Sequence, residues 1–196
     1  MSLVELIARA DERGLAAGGL ACLDRCVPLL GGDDEILRPL WASLAESEAG
    51  DLDWGECVEQ ARAKLHAFEV PRDDASAEGE AVALAHRMLG TAPVERTTEN
   101  LREWADDCSV AALRIHRLLD GSSAAGSGDA SSVTAPREGR TQDMSPLVAA
   151  ELRRQIAILE LLSAHGPAGL RQARELSTEG RRVLRAVVSR RARGRA

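Results

Sequence analysis

Tyrosine is absent from this 196-residue chain, phenylalanine occurs once and tryptophan three times. Leu, Ala, Val and Ile must therefore build the interior. Lysine is nearly missing too: Lys64 is one of 25 basic residues, and the other 24 are Arg. With the abundance of Ala and Gly, that bias points to high-GC coding more than to selection for Arg chemistry. No run of 18 uncharged apolar residues occurs, which excludes a membrane-spanning helix at the level of sequence. The opening Met1-Ser2-Leu3-Val4-Glu5 has no basic region and no apolar run with a small-residue cleavage site behind it. No secretory signal is expected, and the chain reads as cytoplasmic. Four cysteines in that compartment are expected to be reduced thiols. No fixed-period repeat and no convincing strand alternation is present.

Catalytic motifs are missing as well. There is no Gly-rich phosphate loop, no nucleophile elbow and no zinc-protease helix. His66, His86, His116 and His165 stand alone, without a His-x-x-x-His or Glu-x-x-His pair, so a ferritin-like dinuclear site lacks its signature. Each lies near an expected helix C-terminus or face edge, where a cation is favoured by the helix dipole. Solvated or capping roles follow. No catalytic, cofactor-binding or metal-ligating residue is assigned, and the reading leans away from an enzyme.

What is present is helical. Hydrophobic residues make up 44% of the chain, an ordinary globular value, and a chain of this size buries about 70% of its unfolded surface without needing disulfides or metal. Apolar residues recur at helical spacing over about 3–13, then 15–27, where Pro28 ends the run. Gly18 and Gly19 imply either a late helix start or a close helix crossing. A turn at 31–34 leads to Ile36, Leu37, Leu40, Trp41 and Leu44, with Pro39 tolerable only in a first turn. Asp53-Trp54-Gly55-Glu56 reads as a capped start. Further helices are expected over 76–89, stopped by Gly90, and 95–119, with Leu101, Trp104, Ala105, Cys108, Ala112, Ile115 and Leu119 on one stripe. Ser145-Pro146 is an N-cap followed by N1. It opens a helix that Gly166-Pro167 separates from a last one, and these two should form an antiparallel hairpin. The expectation is an all-α, single-domain antiparallel helical bundle of about seven to eight helices over 1–196. Residues 121–144, rich in Gly and Ser, are expected as a mobile inserted loop, and 189–196 as a basic tail.

Three constellations could carry function. Cys22 and Cys26 stand one turn apart, as two metal ligands on one helix would; core packing is favoured, because free cysteine is among the most buried residue types. Glu99, Glu103 and Asp107, with Asp106 beside them, form an acidic ladder that could hold a divalent cation. A solvated face, partly neutralised by Arg96 and Arg102, is favoured. Charge is also segregated: residues 151–196 carry a net +7 and residues 1–150 a net −13. From Arg181 onward there are seven Arg and no acid. That run could grip phosphate, but no aromatics are interleaved to stack bases, the body is acidic, and cations suit a helix C-terminus.

The layout resembles the bacterial family called domain of unknown function 416. The likeness lies in Leu20-Ala21-Cys22-Leu23 running to Pro28, Ile36–Leu44 with Trp41, Ala81-Val82-Ala83-Leu84, and the helix through Ser109-Val110. It continues in Ser145-Pro146-Leu147-Val148-Ala149-Ala150-Glu151, Ile158–Leu162, Leu170-Arg171 and Glu175–Gly180. The Gly/Ser insert, the scarcity of aromatics and the basic tail depart from it. The resemblance implies a helical cytoplasmic fold and supplies no activity or site residue. The functional expectation is a non-catalytic helical protein that binds another protein or self-associates. An immunity-like role against a basic toxin is one form of it. The alternatives are a metal- or small-ligand-binding regulator and weak nucleic-acid binding through the basic C-terminal helix.

Overall fold

Most helix starts are set by side-chain caps, which satisfy orphan backbone N–H groups in the first turn. The computed structural model describes residues 1–33, 35–45, 53–66, 76–120, 131–142 and 144–194. Ser2 caps α1 (Leu3–Arg9) in a full capping box with Glu5. Asp11 then accepts from the Gly14 N–H at 2.7 Å and starts α2 (Glu12–Cys26), so the expected single helix over 3–13 is cut at Ala10. After a 3₁₀ turn at Val27–Leu29 comes α3 (Arg38–Ser43), with Pro39 in its first turn. Asp53 caps α4 (Trp54–His66) and Ser76 caps α5 (Ala77–Gly90). Thr97 caps α6 (Thr98–Leu119), which therefore begins three residues later than apolar spacing alone implies. Ser131–Arg137 form α7, a short helix inside the stretch expected to lack regular structure; residues 121–130 and 143 lie outside the described residues. Ser145 caps α8 (Pro146–His165). A 3₁₀ turn at Gly166–Gly169 then leads into α9 (Leu170–Arg193).

No strand occurs among the described residues, and the fold is an all-α helical bundle. α2 is its axle: it is buried around most of its circumference and packs on α6, α9 and α8. Among the described residues, no helix is long and apolar enough to cross a membrane.

Aliphatic residues fill the interior, as the composition requires, and the three Trp serve as its large pieces. Trp104 and Trp54 meet edge to face, with centroids 6.0 Å apart. Their ring N–H groups are satisfied by the carbonyls of Met88 (2.9 Å) and Pro93 (2.7 Å). Trp104 lies so close to α2 that a Cβ at position 19 would stand 2.6 Å from its ring. The glycines of α2 are thus inside the helix and permit a close crossing, the second of the two readings open from sequence. Arg62 of α4 reaches the carbonyls of Leu89, Gly90 and Ala92 at 3.3, 2.9 and 2.6 Å. It neutralises the carbonyl end of α5 in the way a cation there should.

Candidate functional site

The apolar stripe of α8 carries two polar residues, Glu151 and Gln155, between Val148 and Ile158. Helical periodicity forces both into the bundle, where unpaired polar groups are costly. Glu151 meets Arg25 of α2 in a two-point pair: Arg25 Nε donates to Oε2 at 2.8 Å and Nη2 to Oε1 at 2.5 Å. Gln155 Nε2 donates to Oε1 at 2.8 Å, and its own amide oxygen accepts from Ser109 Oγ of α6 at 2.7 Å. Arg137 of α7 donates through Nε to that hydroxyl at 3.1 Å and pairs through Nη2 with Asp106. One polar chain thereby ties α2, α8, α6 and α7. Arg25 reaches Glu151 past Gly180 of α9, where a Cβ would stand 2.4 Å from Arg25 Cδ.

His116 of α6 completes the cluster. Its Nδ1 stands 2.7 Å from the Ala112 carbonyl, which can only accept, so Nδ1 carries the proton. Nε2 then faces Glu151 Oε2 at 3.5 Å without a hydrogen bond. Burial opposes ionisation throughout the cluster, but the groups respond differently. The Glu151 carboxylate, penalised by burial, is held at about 2 by Arg25, His116 and the Gln155 bond. Burial likewise works against the charge on Arg25, and the Glu151 carboxylate keeps it on and raises its pKa. For His116 burial outweighs the attraction of Glu151, so the imidazole titrates below its ordinary range and is neutral at pH 7.

A second pair binds α9 to α2. Arg181 Nη1 donates to Asp24 Oδ1 at 2.6 Å. Ser177 Oγ lies 2.7 Å from Asp24 Oδ2 and 3.1 Å from the Ala21 carbonyl. Burial pushes the Asp24 carboxyl up, against the pull of Arg181 and Ser177. Inside the bundle two Arg thus face two acids. Arg25, His116 and Glu151 are all 0% exposed. A carboxylate beside an imidazole is the outline of an acid–base pair, but here the carboxylate is paired with Arg25 and both groups are fully buried. The cluster locks helices together.

The sequence-designated residues divide between this cluster, the rest of the core and the surface. Cys22, Cys26 and Cys108 are buried in the core, and Cys57 is buried on α4. Burial pushes the Cys22 thiol up to about 12, and those of Cys26 and Cys108 well above their usual range. Arg25 Nη2 donates to Cys22 Sγ at 3.4 Å. The described residues contain no group of three or more His, Cys, Asp or Glu placed to hold a metal ion. Of the histidines, His165 is exposed at the end of α8 as expected, and His86 is half-buried. The His66 side chain lies outside the described residues. The expectation of a solvated or capping role is corrected for His116, which is drawn inside because position 116 adjoins Ile115 and follows Ala112 by one turn.

On the surface, Glu99, Glu103 and Asp107 are exposed along α6, as a solvated face requires. Asp106 leaves that face for Arg137, and Arg96 turns to Glu12 (2.9 Å) and the Ser43 carbonyl (3.3 Å), so it does not neutralise the ladder. The basic run divides. Arg181 is buried against Asp24, whereas Arg182, Arg190 and Arg193 are exposed. Arg191 Nη1 donates to the Leu119 carbonyl at 3.0 Å, which fixes the end of α9 beside the end of α6. The acidic residues Glu99 and Glu103 lie toward the opposite end of α6, about 30 and about 24 Å from Leu119 at 1.5 Å per residue.

Sequence reasoning passed over Arg25, Asp24, Gln155 and Arg181 as pairing residues. The available signal was their position: each is polar at a helical register otherwise occupied by core residues. Comparison with family models, curated proteins and solved structures returns no match to this chain.

Proposed function

We propose that the chain is a non-catalytic helical interaction module that associates through opposite charges at its two ends. The basic end of α9 is directed at an acidic protein surface, and the α6 ladder of a second copy is such a surface. One observation carries this reading. The exposed Arg190 and Arg193 and the exposed Glu99 and Glu103 sit at opposite ends of α6, out of reach of each other within one molecule. Opposite patches that cannot close on themselves favour a head-to-tail contact between molecules. The buried Arg25, Glu151, Asp24 and Arg181 are paired with one another, whereas the charges at the two ends of α6 are exposed to a partner. Nucleic acid is a weaker candidate, because Trp41, Trp54 and Trp104 are all buried and cannot stack bases. The likeness to the domain of unknown function 416 family contributes no activity to the proposal.

Sedimentation velocity of the purified full chain tests it. Mass should grow with protein concentration in low salt and collapse to monomer when the Debye length is cut to about 3 Å in 1 M salt. A monomer in low salt that also ignores acidic protein surfaces would sink the proposal.

A further inference from the structure

The antiparallel pair α5 and α6 encloses a surface cleft of about 220 Å³. Its floor is apolar: Leu84 and Met88 from α5, Val110 and Ala111 from α6. Its rim is charged, and the charges follow the register of the two helices. Toward one end Glu80 and Arg114 close on each other at 2.8 Å. Two helical turns along, at the equivalent register, the signs are exchanged: Arg87 stands on α5 and Asp107 on α6. This second pair does not close. Among the described residues, neither the Arg87 guanidinium nor the Asp107 carboxylate has a hydrogen-bond or ion-pair partner, and the cleft lies between them.

From this we infer that the cleft is a binding site for a small zwitterion, an aliphatic α-amino acid. A free cation and a free anion facing one cavity are complementary to a molecule with a carboxylate and an ammonium on the same carbon. Arg87 offers the carboxylate a planar two-donor fork. Asp107 accepts from the ammonium, and Thr91 Oγ, whose own proton goes to the Arg87 carbonyl at 2.9 Å, presents a lone pair at the same rim. The Leu84–Met88–Val110–Ala111 floor takes the aliphatic side chain. Size agrees: pockets for drug-sized ligands run about 300–1,000 Å³, and a smaller cleft suits a metabolite of amino-acid size. Arg114 is held by Glu80 and shapes the cleft's other end.

The test is a titration of the ¹⁵N-labelled full chain followed by two-dimensional amide NMR. L-Leucine, 4-methylpentanoate (no ammonium) and 3-methylbutylamine (no carboxylate) are the three probes. Leucine should produce saturable shifts confined to residues 84–91 and 107–114, with a Kd of about 1 mM, as expected of so small a ligand. Each truncated probe should bind at least about tenfold more weakly, because it leaves one rim charge unmatched. Arg87→Gln and Asp107→Asn, both at exposed positions, should weaken leucine by a similar factor while leaving the melting temperature unchanged. The inference is overturned by absence of saturable shifts, by shifts centred elsewhere, by a truncated probe that binds as well as leucine, or by either variant binding leucine like the parent.

Discussion

Replacing Glu151 with glutamine removes the charge that faces Arg25 while nearly preserving side-chain volume. Arg25 is 0% exposed and its guanidinium is held on two sides of the Glu151 carboxylate, at 2.8 and 2.5 Å. In the variant it becomes a buried cation without a counter-charge. Removing one partner of a buried pair costs about 3–5 kcal/mol. For a chain of this length 1 kcal/mol corresponds to about 2–4 °C, so the melting temperature should fall by roughly 10 °C. Equilibrium urea unfolding at pH 7, followed by helix circular dichroism, measures the free-energy change directly. The companion variant replaces both partners, Arg25→Met with Glu151→Leu. Because a buried pair exchanged for apolar groups of similar volume is often neutral or stabilising, the double variant should recover most of the loss. The single variant therefore reports an orphaned charge rather than a lost contact. A Glu151→Gln loss below about 1 kcal/mol, or a double variant less stable than Glu151→Gln, would refute the assignment of this cluster as a neutralised ionic lock.

Acidification should act on the same cluster in steps. The folded pKa of His116 lies below its ordinary 6.5, so the unfolded chain takes up this proton first and stability begins to fall as pH drops through about 6.5. The Glu151 pKa falls from 4.5 to about 2 on folding. Its contribution of about 3 kcal/mol is intact above pH 4.5 and is lost between there and pH 2. Asp24 works in the opposite sense, since its raised pKa favours the folded state once its carboxyl is protonated. Urea midpoints from pH 7.5 to 5.5 should decline in the parent and decline less in His116→Gln; equal slopes would contradict the buried neutral imidazole. Gly180→Ala should lower stability by about 1–3 kcal/mol through overpacking against Arg25, although alanine is the better helix former by about 1 kcal/mol. A rise in the urea midpoint would show that Arg25 does not pass over Gly180.

Helix placement was largely legible, because caps and breakers are local. Asp53, Ser76 and Ser145 mark their helices by side-chain chemistry within four residues, and Gly166-Pro167 ends α8 for equally local reasons. Asp11 was overlooked because the apolar pattern runs through it; the cap cuts the helix while the periodicity continues. The interior cluster was legible only in part. Glu151, Gln155, Ser177 and Arg181 announce burial by their register, but a register does not name a partner. Arg25 and Glu151 are 126 residues apart, and their meeting depends on α2 packing against α8 beside a Gly180 that leaves space. His116 illustrates the same limit. Its place near the end of α6 favours a solvated cation, and tertiary burial overrides that local preference.

The central claim, that opposite charges at the two ends bring molecules together, is tested most directly by exchanging the charges. Sedimentation in low salt would compare the parent, Arg190→Glu/Arg193→Glu, Glu99→Arg/Glu103→Arg, and an equimolar mixture of the last two proteins. Each double variant alone should be monomeric, having two like-charged ends. Mixed, the all-acidic-ended and all-basic-ended proteins should associate again and dissociate in high salt. Association of either variant alone at the parent's level, or a mixture that stays monomeric while the parent associates, would contradict the account.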